Sequence, residues 1–446
     1  MRGLLASSVG VTCAAALALP LTLPDPSHAA APSPARDAIP GSTQSLALAP
    51  LTNATRASGA PEEQGLPQRD VRPFSLVGVV WDDPNAELHG HVQVRTRATG
   101  TARWSAWQDV ETHNDDAPDL DTPEHTSGHV RGSTAPLWVG DSDGVEVRVD
   151  GEAPARTEAP SRPAAPAPLP RGLRLELVDP GAEPSPPGPG PVPAGGATPA
   201  GTSAKTPTDA AADTATEIPE LSKKETEDEL IVSRGGDVET TTARPYVGAR
   251  PRIVTRKGWG ADEKLREKKF AYTKTVKAAF VHHSATGNNY RCSQASSVIR
   301  SIYRYHVKSS GWRDIGYNFL VDKCGTIYEG RAGGVTKPVM GAHTLGFNTN
   351  SMGVAVLGSF SGTNPPAAAV NAIARLTAWK LGLYGANPSG TTYLKSGGGN
   401  LYRKGTKVRL HVISGHRDGF ATECPGRRLY NKLGHARSSA ARLQGR

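Results

Sequence analysis

The sequence predicts an α/β domain, a mixed β-sheet flanked by helices, over residues 250–440. Ahead of it stand an all-β, sandwich-like domain over residues 71–179 and a disordered Pro/Ala/Gly-rich linker over residues 180–245. Three observations lead there. Strand and helix patterns alternate after about residue 250, the order expected of an α/β domain. Before residue 179 only short alternating runs occur, separated by Gly, Asp and Pro turns, as in an antiparallel sandwich. The 37 Pro, set beside 49 Gly and only 7 Phe, crowd between Ala153 and Pro219. A stretch so poor in apolar residues cannot bury enough surface to offset its ordering entropy.

The N-terminus begins Met1-Arg2, runs apolar and small over residues 4–23, then meets Pro24, Pro26 and the small-residue site Ser27-His28-Ala29-Ala30. A charged start, an apolar middle and an Ala-rich exit predict a secretory signal peptide over residues 1–29. The alternative is an uncleaved anchor, since the run approaches the length of a bilayer span. Cys13, with Thr12 before it, makes a poor lipoprotein site. No other stretch is long and apolar enough to span, so the mature chain is expected to be secreted, extracellular or wall-associated, with no transmembrane segment.

In the β-rich part the runs are 74–81, 92–97, 104–110, 145–149 and 173–178. Val145, Val147 and Val149 fall on one face of a strand, with Glu146 and Arg148 on the other. Trp104, Trp107 and Trp138 could stack sugars, but core packing is the preferred reading. Nothing in this part has catalytic spacing. Within the linker, the acidic run 217–230 could form a short helix.

In the C-terminal half, residues 277–284 predict a strand. Residues 294–309 predict a helix on the spacing of Val298, Ile299, Ile302 and His306, stopped by Gly311. Residues 317–322, 326–328 and 353–357 read as strands, 367–384 as a second helix, and 408–413 as a last strand running into Gly415-His416.

Charge divides the chain. Residues 250–446 hold 32 Lys and Arg against 8 Asp and Glu, a balance of +24; the remainder holds 19 against 34, or −15, and together they give the net +9. A domain this basic expects an anionic partner. Nucleic acid is the plain alternative, but export argues for an anionic cell envelope and against DNA or RNA.

Three cysteines remain once the signal is removed: Cys292, Cys324 and Cys424. An odd number in an exported chain asks for a pair and one cysteine with another role. A Cys292 to Cys324 bridge would close a useful loop, although spacing does not fix the partners. Cys424 lies eight residues beyond His416, and His282-His283 ends a predicted strand. Imidazole and thiolate suit zinc, and three protein ligands leave it an open position, as catalytic sites do. Side chains alternate along a strand, so only one of His282 and His283 can join, and spacing does not say which.

Several motifs share one order with a known family: Phe280-Val-His-His-Ser-Ala-Thr286, Gly311-Trp-Arg-Asp-Ile-Gly-Tyr-Asn-Phe-Leu-Val321, Gly325-Thr-Ile-Tyr-Glu-Gly-Arg331, Gly341-Ala-His-Thr344, Asn350-Ser-Met-Gly353, and Gly415-His-Arg-Asp418 with Cys424-Pro425. The C-terminal part resembles the type 2 N-acetylmuramoyl-L-alanine amidases and peptidoglycan recognition proteins. The resemblance implies a mixed sheet with a groove for a glycan strand and its stem peptide. It implies zinc on His282, His416 and Cys424, a catalytic Tyr317, and Thr422 at a position where catalytic members carry Lys or Thr. His343 and Arg331 match substrate-contacting groove residues, and Cys292 with Cys324 matches a disulfide. Glu329 is expected to order Arg331, and the general base is unassigned. Between Arg331 and Gly341 the chain is longer than in the animal recognition proteins, so their stem-peptide preference does not carry over.

The resemblance implies an amidase acting on peptidoglycan. Three other readings remain at this stage. A non-catalytic recognition module would generally have lost the cysteine ligand, which Cys424 supplies here. A wall peptidase would use Cys424 as nucleophile and His416 as base. A blue-copper site needs an axial Met, and neither Met340 nor Met352 lies between His416 and Cys424. The basic half, with all its ligands and its groove, is expected to stand as a domain of its own.

Overall fold

In a computed structural model of the chain, residues 41–51, 63–112, 116–152, 168–182 and 215–446 are described. The expected signal peptide lies outside the described residues, as do residues 183–214 of the expected linker.

The N-terminal part is all-β, as expected, and begins before residue 71. Its main strands are β1 (Ser42–Ala47), β2 (Glu63–Trp81), β3 (Gly90–Ala98), β4 (Gln108–Val110), β5 (Leu137–Gly151) and β6 (Arg174–Asp179). They pair antiparallel in the order β1-β6-β2-β5-β3-β4. In β5, Val145, Val147 and Val149 are buried while Glu146 and Arg148 are not, the period of two that faces one side to a core. Strand β2 reaches its length by shifting register against β5 at several points, and such bulges bend a strand. Trp138 is in a core as expected, but Trp104 and Trp107 are only half-buried. The guanidinium of Arg95 lies over both rings, and that of Arg148 over Trp107, so cation–π contacts hold them in place of core packing.

The C-terminal part starts earlier than expected. Strand β7 (Glu217–Ile218) and helix α1 (Lys223–Ser233) fall within the stretch read as linker. Ser222 opens the helix with a capping box: its Oγ accepts from Glu225 N, and its own N–H donates to Glu225 Oε2 at 2.8 Å. Leu230 and Ile231 are buried, and Ile218 pairs opposite Ile253 of β8 (Ile253–Val254). The short helix expected in the acidic run is thus present, and the apolar anchors Ile218, Leu230 and Ile231 tie it to the folded part rather than to a linker.

Strands β9 (Ala278–His283), β10 (Phe319–Val321), β11 (Ile327–Glu329), β12 (Ser351–Val356) and, after β13 (Thr391–Lys395) and β14 (Lys407–His411), β15 (Ile413–Gly415) complete the set. The sheet order is β15-β9-β12-β10-β11-β8-β7. Strands β15, β9, β12 and β10 run parallel, and β11 is antiparallel to β10, so the sheet is mixed. All six residues of β9 are buried, as a central parallel strand covered on both faces requires. The single strand expected over residues 408–413 is two: β14 pairs with β13 in a separate ribbon, and the chain re-enters the main sheet as β15. Helices α3 (Ala367–Gly382) and α4 (Leu433–Gln444) pack Ile373, Leu376, Trp379, Leu433 and Ala436 into one core with Val281, Phe319 and Val354.

A second core joins the two parts. Helix α2 (Ala295–Arg304) offers Val298, Ile299 and Ile302, and a wider turn at Tyr305–Ser309 follows it. These pack with Leu76, Val80, Trp138 and Val178 of the N-terminal sheet. Polar contacts seal the seam: the Tyr305 hydroxyl donates to Thr134 O at 3.1 Å and Ser309 Oγ to Glu176 Oε2 at 2.8 Å. Gly311, expected only to stop a helix, sits at φ 76° against the other part, where a Cβ would stand 1.9 Å from His129 O. The described residues from 41 to 446 therefore form one compact unit. Because the core is shared, Trp138→Ala should cost about 3–5 kcal/mol. Chemical denaturation should show one transition for the whole chain, whereas two transitions, with only the first shifted by the substitution, would contradict a common core.

Candidate functional site

The C-terminal end of β9 places His282 and His283 on opposite faces. His283 goes to the α3 and α4 side, where Phe360 N donates to its Nδ1 at 3.3 Å and its Nε2 lies 3.1 Å from Glu111 Oε1. His282 goes to the other face and meets His416, with ring centroids 4.5 Å apart. Geometry thus separates the two histidines that spacing left equal.

His416 leaves β15 in a single tight turn. Asp418 fixes that turn, accepting from Gly415 N at 2.9 Å and from the Tyr430 hydroxyl at 2.6 Å. The chain then folds back so that Arg417 N donates to Cys424 O at 3.1 Å, which brings the thiol beside the imidazole. Cys424 Sγ lies 3.7 Å from His282 Nδ1, and one donor atom from each of His282, His416 and Cys424 falls within 4.8 Å of the others. All three side chains are fully buried. Thr422, expected in a catalytic role, is half-buried, and its Oγ1 accepts from Cys424 N at 3.2 Å. Cys292 and Cys324 are joined as a disulfide, with Cα atoms 6.2 Å apart.

Burial, and then His283, push His282 down to about 3; burial and His282 hold His416 well below its ordinary value. Neutral imidazole is the form that binds metal. Burial first, then Asp116, push the Cys424 thiol up, a shift that a cation in the cluster reverses. Both ring nitrogens of His416 are buried and make no hydrogen bond, though Nδ1 lies 3.5 Å from Asp116 Oδ1. Buried polar atoms normally have partners. Two imidazole nitrogens and a sulfur that need one fit zinc. Thr344 Oγ1, 3.4 Å from His282 Nε2 and 3.0 Å from His343 Nδ1, supplies the outer contact that orients such a ligand. His343 is buried beside His282, its backbone N–H donating to Asn348 Oδ1 at 2.7 Å.

The N-terminal part, in which no catalytic spacing was found, reaches this cluster. Tyr317 donates its hydroxyl to Asp116 Oδ2 at 2.5 Å, while Asp116 Oδ1 lies 3.1 Å from His282 Nδ1. Arg331 is buried and forks onto Glu124, with both N–O distances 2.8 Å. Its expected partner Glu329 instead accepts from Arg256 N at 3.3 Å, because β11 turns that carboxylate toward Arg256. Between them, Asp119 Oδ1 accepts from Gly346 N at 2.7 Å and Asn348 Nδ2 at 2.8 Å. No pattern around residues 116–124 singled these acids out, since their partners are more than 200 residues away in some cases. The one available signal was the opposite charge of the two halves.

The longer segment after Arg331 is pinned by Lys380, whose Nζ donates to Val335 O at 2.6 Å and Lys337 O at 2.7 Å from a buried position.

Residues 272–427 match the family described as N-acetylmuramoyl-L-alanine amidase, and residues 30–168 match one described as Rv3811 N-terminal galactose-binding domain-like. Peptidoglycan-recognition protein SC2 of Drosophila simulans is 30% identical over 183 residues, 41% of this chain and 84% of that protein. The N-acetylmuramoyl-L-alanine amidase of Homo sapiens is 32% identical over 141 residues, 32% of this chain and 20% of that protein. A solved structure of peptidoglycan recognition protein-LE in complex with tracheal cytotoxin is 30% identical, covering 41% of this chain and 92% of that one, with a TM-score of 0.33.

Next to the cluster, His306 accepts from Gly316 N at 3.1 Å through Nδ1 and packs on Trp312. Burial first, then Arg331, push it from 6.5 down to about 3. The unfolded chain then binds a proton that the folded chain refuses, so stability falls as pH drops from 6.5 toward 3. His306→Asn keeps an acceptor without the titration. Between those limits the wild type should lose roughly 1 kcal/mol per pH unit more than the variant in urea unfolding, and equal slopes would contradict the assignment.

Proposed function

Because this chain belongs to the peptidoglycan-recognition protein and type 2 amidase family, we propose that it is a secreted, zinc-dependent N-acetylmuramoyl-L-alanine amidase. It hydrolyses the amide between the lactyl group of MurNAc and L-Ala of peptidoglycan. The observation that carries this reading is the convergence of Cys424 with His282 and His416, with Tyr317 close by. A module that only binds has no use for a buried thiol among neutral imidazoles.

His282, His416 and Cys424 would hold the zinc, which supplies Lewis-acid polarisation of the scissile carbonyl. Thr344 orients His282 through Nε2. The Tyr317 hydroxyl is a neutral donor suited to the oxyanion that develops on the attacked carbonyl. Thr422 holds the turn that carries Cys424. Arg331 offers two parallel donors to a carboxylate, and His343 lines the wall next to His282. The cysteine-nucleophile reading has less support: Cys424 is fully buried and its thiol is pushed up, the reverse of an activated nucleophile.

The purified chain should contain about one zinc. Cys424→Ser should lower zinc and turnover together, whereas Tyr317→Phe should keep zinc while turnover falls on the order of 10²-fold. Mass spectrometry of digested muropeptides should show peptides with a free N-terminal L-Ala and intact glycan. Cuts inside the stem peptide by a zinc-free preparation would contradict the proposal.

A further inference from the structure

The residues proposed to meet metal and substrate are already engaged by one stretch of the N-terminal part. Asp116 Oδ2 takes the Tyr317 hydroxyl, the group that would stabilise the oxyanion. Ala117 O and Asp119 bind Asn348, which in turn holds His343. Glu124 fills the fork of Arg331 and also accepts from Arg313 N at 3.0 Å. Both Asp119 and Glu124 are buried, so the stretch is set into the C-terminal part rather than laid over it.

The position of Asp116 Oδ1 is informative. A tetrahedral ion with arms of about 2.0–2.3 Å sets its ligand atoms roughly 3.3–3.7 Å apart. Oδ1 stands 3.1 Å from His282 Nδ1 and 3.5 Å from His416 Nδ1, and Cys424 Sγ stands 3.7 Å from His282 Nδ1. The carboxylate oxygen therefore covers the histidine side of the cluster, while lying outside the set of donor atoms that are all within 4.8 Å of one another. A structural zinc has four protein ligands, whereas a catalytic one keeps a position open.

We propose that residues 116–124 form a strap that holds the folded chain latent by occupying the groove, with Asp116 covering the histidine side of the zinc site. This rests on the zinc reading above. The strap imitates an anionic substrate: its carboxylates sit on the oxyanion donor Tyr317 and on the carboxylate fork of Arg331. Because it is tethered, it competes at high effective concentration. Turnover requires it to leave, which frees Tyr317 and Arg331 and uncovers the metal site together.

The test uses the full-length chain, its Asp116→Ala variant and the near-isosteric Asp116→Asn variant, which preserves packing should the alanine protein fold poorly. Each is loaded with cobalt(II) in place of zinc and titrated with acetohydroxamate, a small chelating ligand, while the visible absorption of the metal is followed. Both variants should hold one metal and bind acetohydroxamate at least about ten-fold more tightly than the wild type. With zinc they should cut muropeptides about ten-fold faster or more. Equal acetohydroxamate affinity in all three, with metal bound, would overturn the strap while leaving the zinc reading intact. Absence of metal from all three would overturn both. Tighter binding in the variants without any amide cleavage would support the strap and contradict the amidase.

Discussion

Two imidazoles and a thiol lie fully buried within a few ångströms of one another, and a folded chain tolerates this only when something satisfies their polar atoms. Much of the C-terminal part is arranged around that constraint. The central strand β9 is apolar up to its last two residues and delivers His282 to one face. The turn after β15, fixed by Asp418, delivers His416, and the Arg417 to Cys424 backbone bond returns the thiol. Thr344 and His343 form the outer layer. Each contact is modest alone, and their common target is a single ion-sized position. A cation there would stabilise the thiolate and use the lone pairs of neutral imidazoles, so metal binding and local folding would be one process.

The same constraint explains why the two parts of the chain are not independent. A basic half carrying +24 and a remainder carrying −15 suggested an external anionic partner. Part of that complementarity is used within the fold, where Asp116, Asp119 and Glu124 enter the basic part and the apolar seam around Tyr305 holds the N-terminal sheet in register behind them. The basic half, expected to stand as a domain of its own, shares a core with the N-terminal part, whose Asp116 lies beside His282 and His416.

What was legible in the sequence followed from local rules. Strand β9, helix α2, helix α3 and the alternation within β5 each carry their period in the residues themselves. The motifs singled out His282, His416, Cys424 and Tyr317, which the fold brings together. What was not legible depends on distant partners. The break between β14 and β15 is set by a change of sheet, which leaves no mark in a run of alternating residues. Helix α1 was expected as a short helix, but its attachment to the folded part through a few buried side chains was not, because the average composition of the stretch is that of a linker. The acids at 116–124 find Tyr317, Arg331 and Asn348 only through tertiary contact, so Glu329 looked like the better partner for Arg331 from its nearness in sequence.

That His282, His416 and Cys424 hold zinc is tested most directly by X-ray absorption at the zinc edge on the intact chain. The arrangement predicts a four-coordinate ion with one sulfur at about 2.3 Å and the remaining nitrogen and oxygen donors at about 2.0–2.2 Å. A spectrum without a sulfur neighbour, or with six oxygen and nitrogen neighbours, would contradict it.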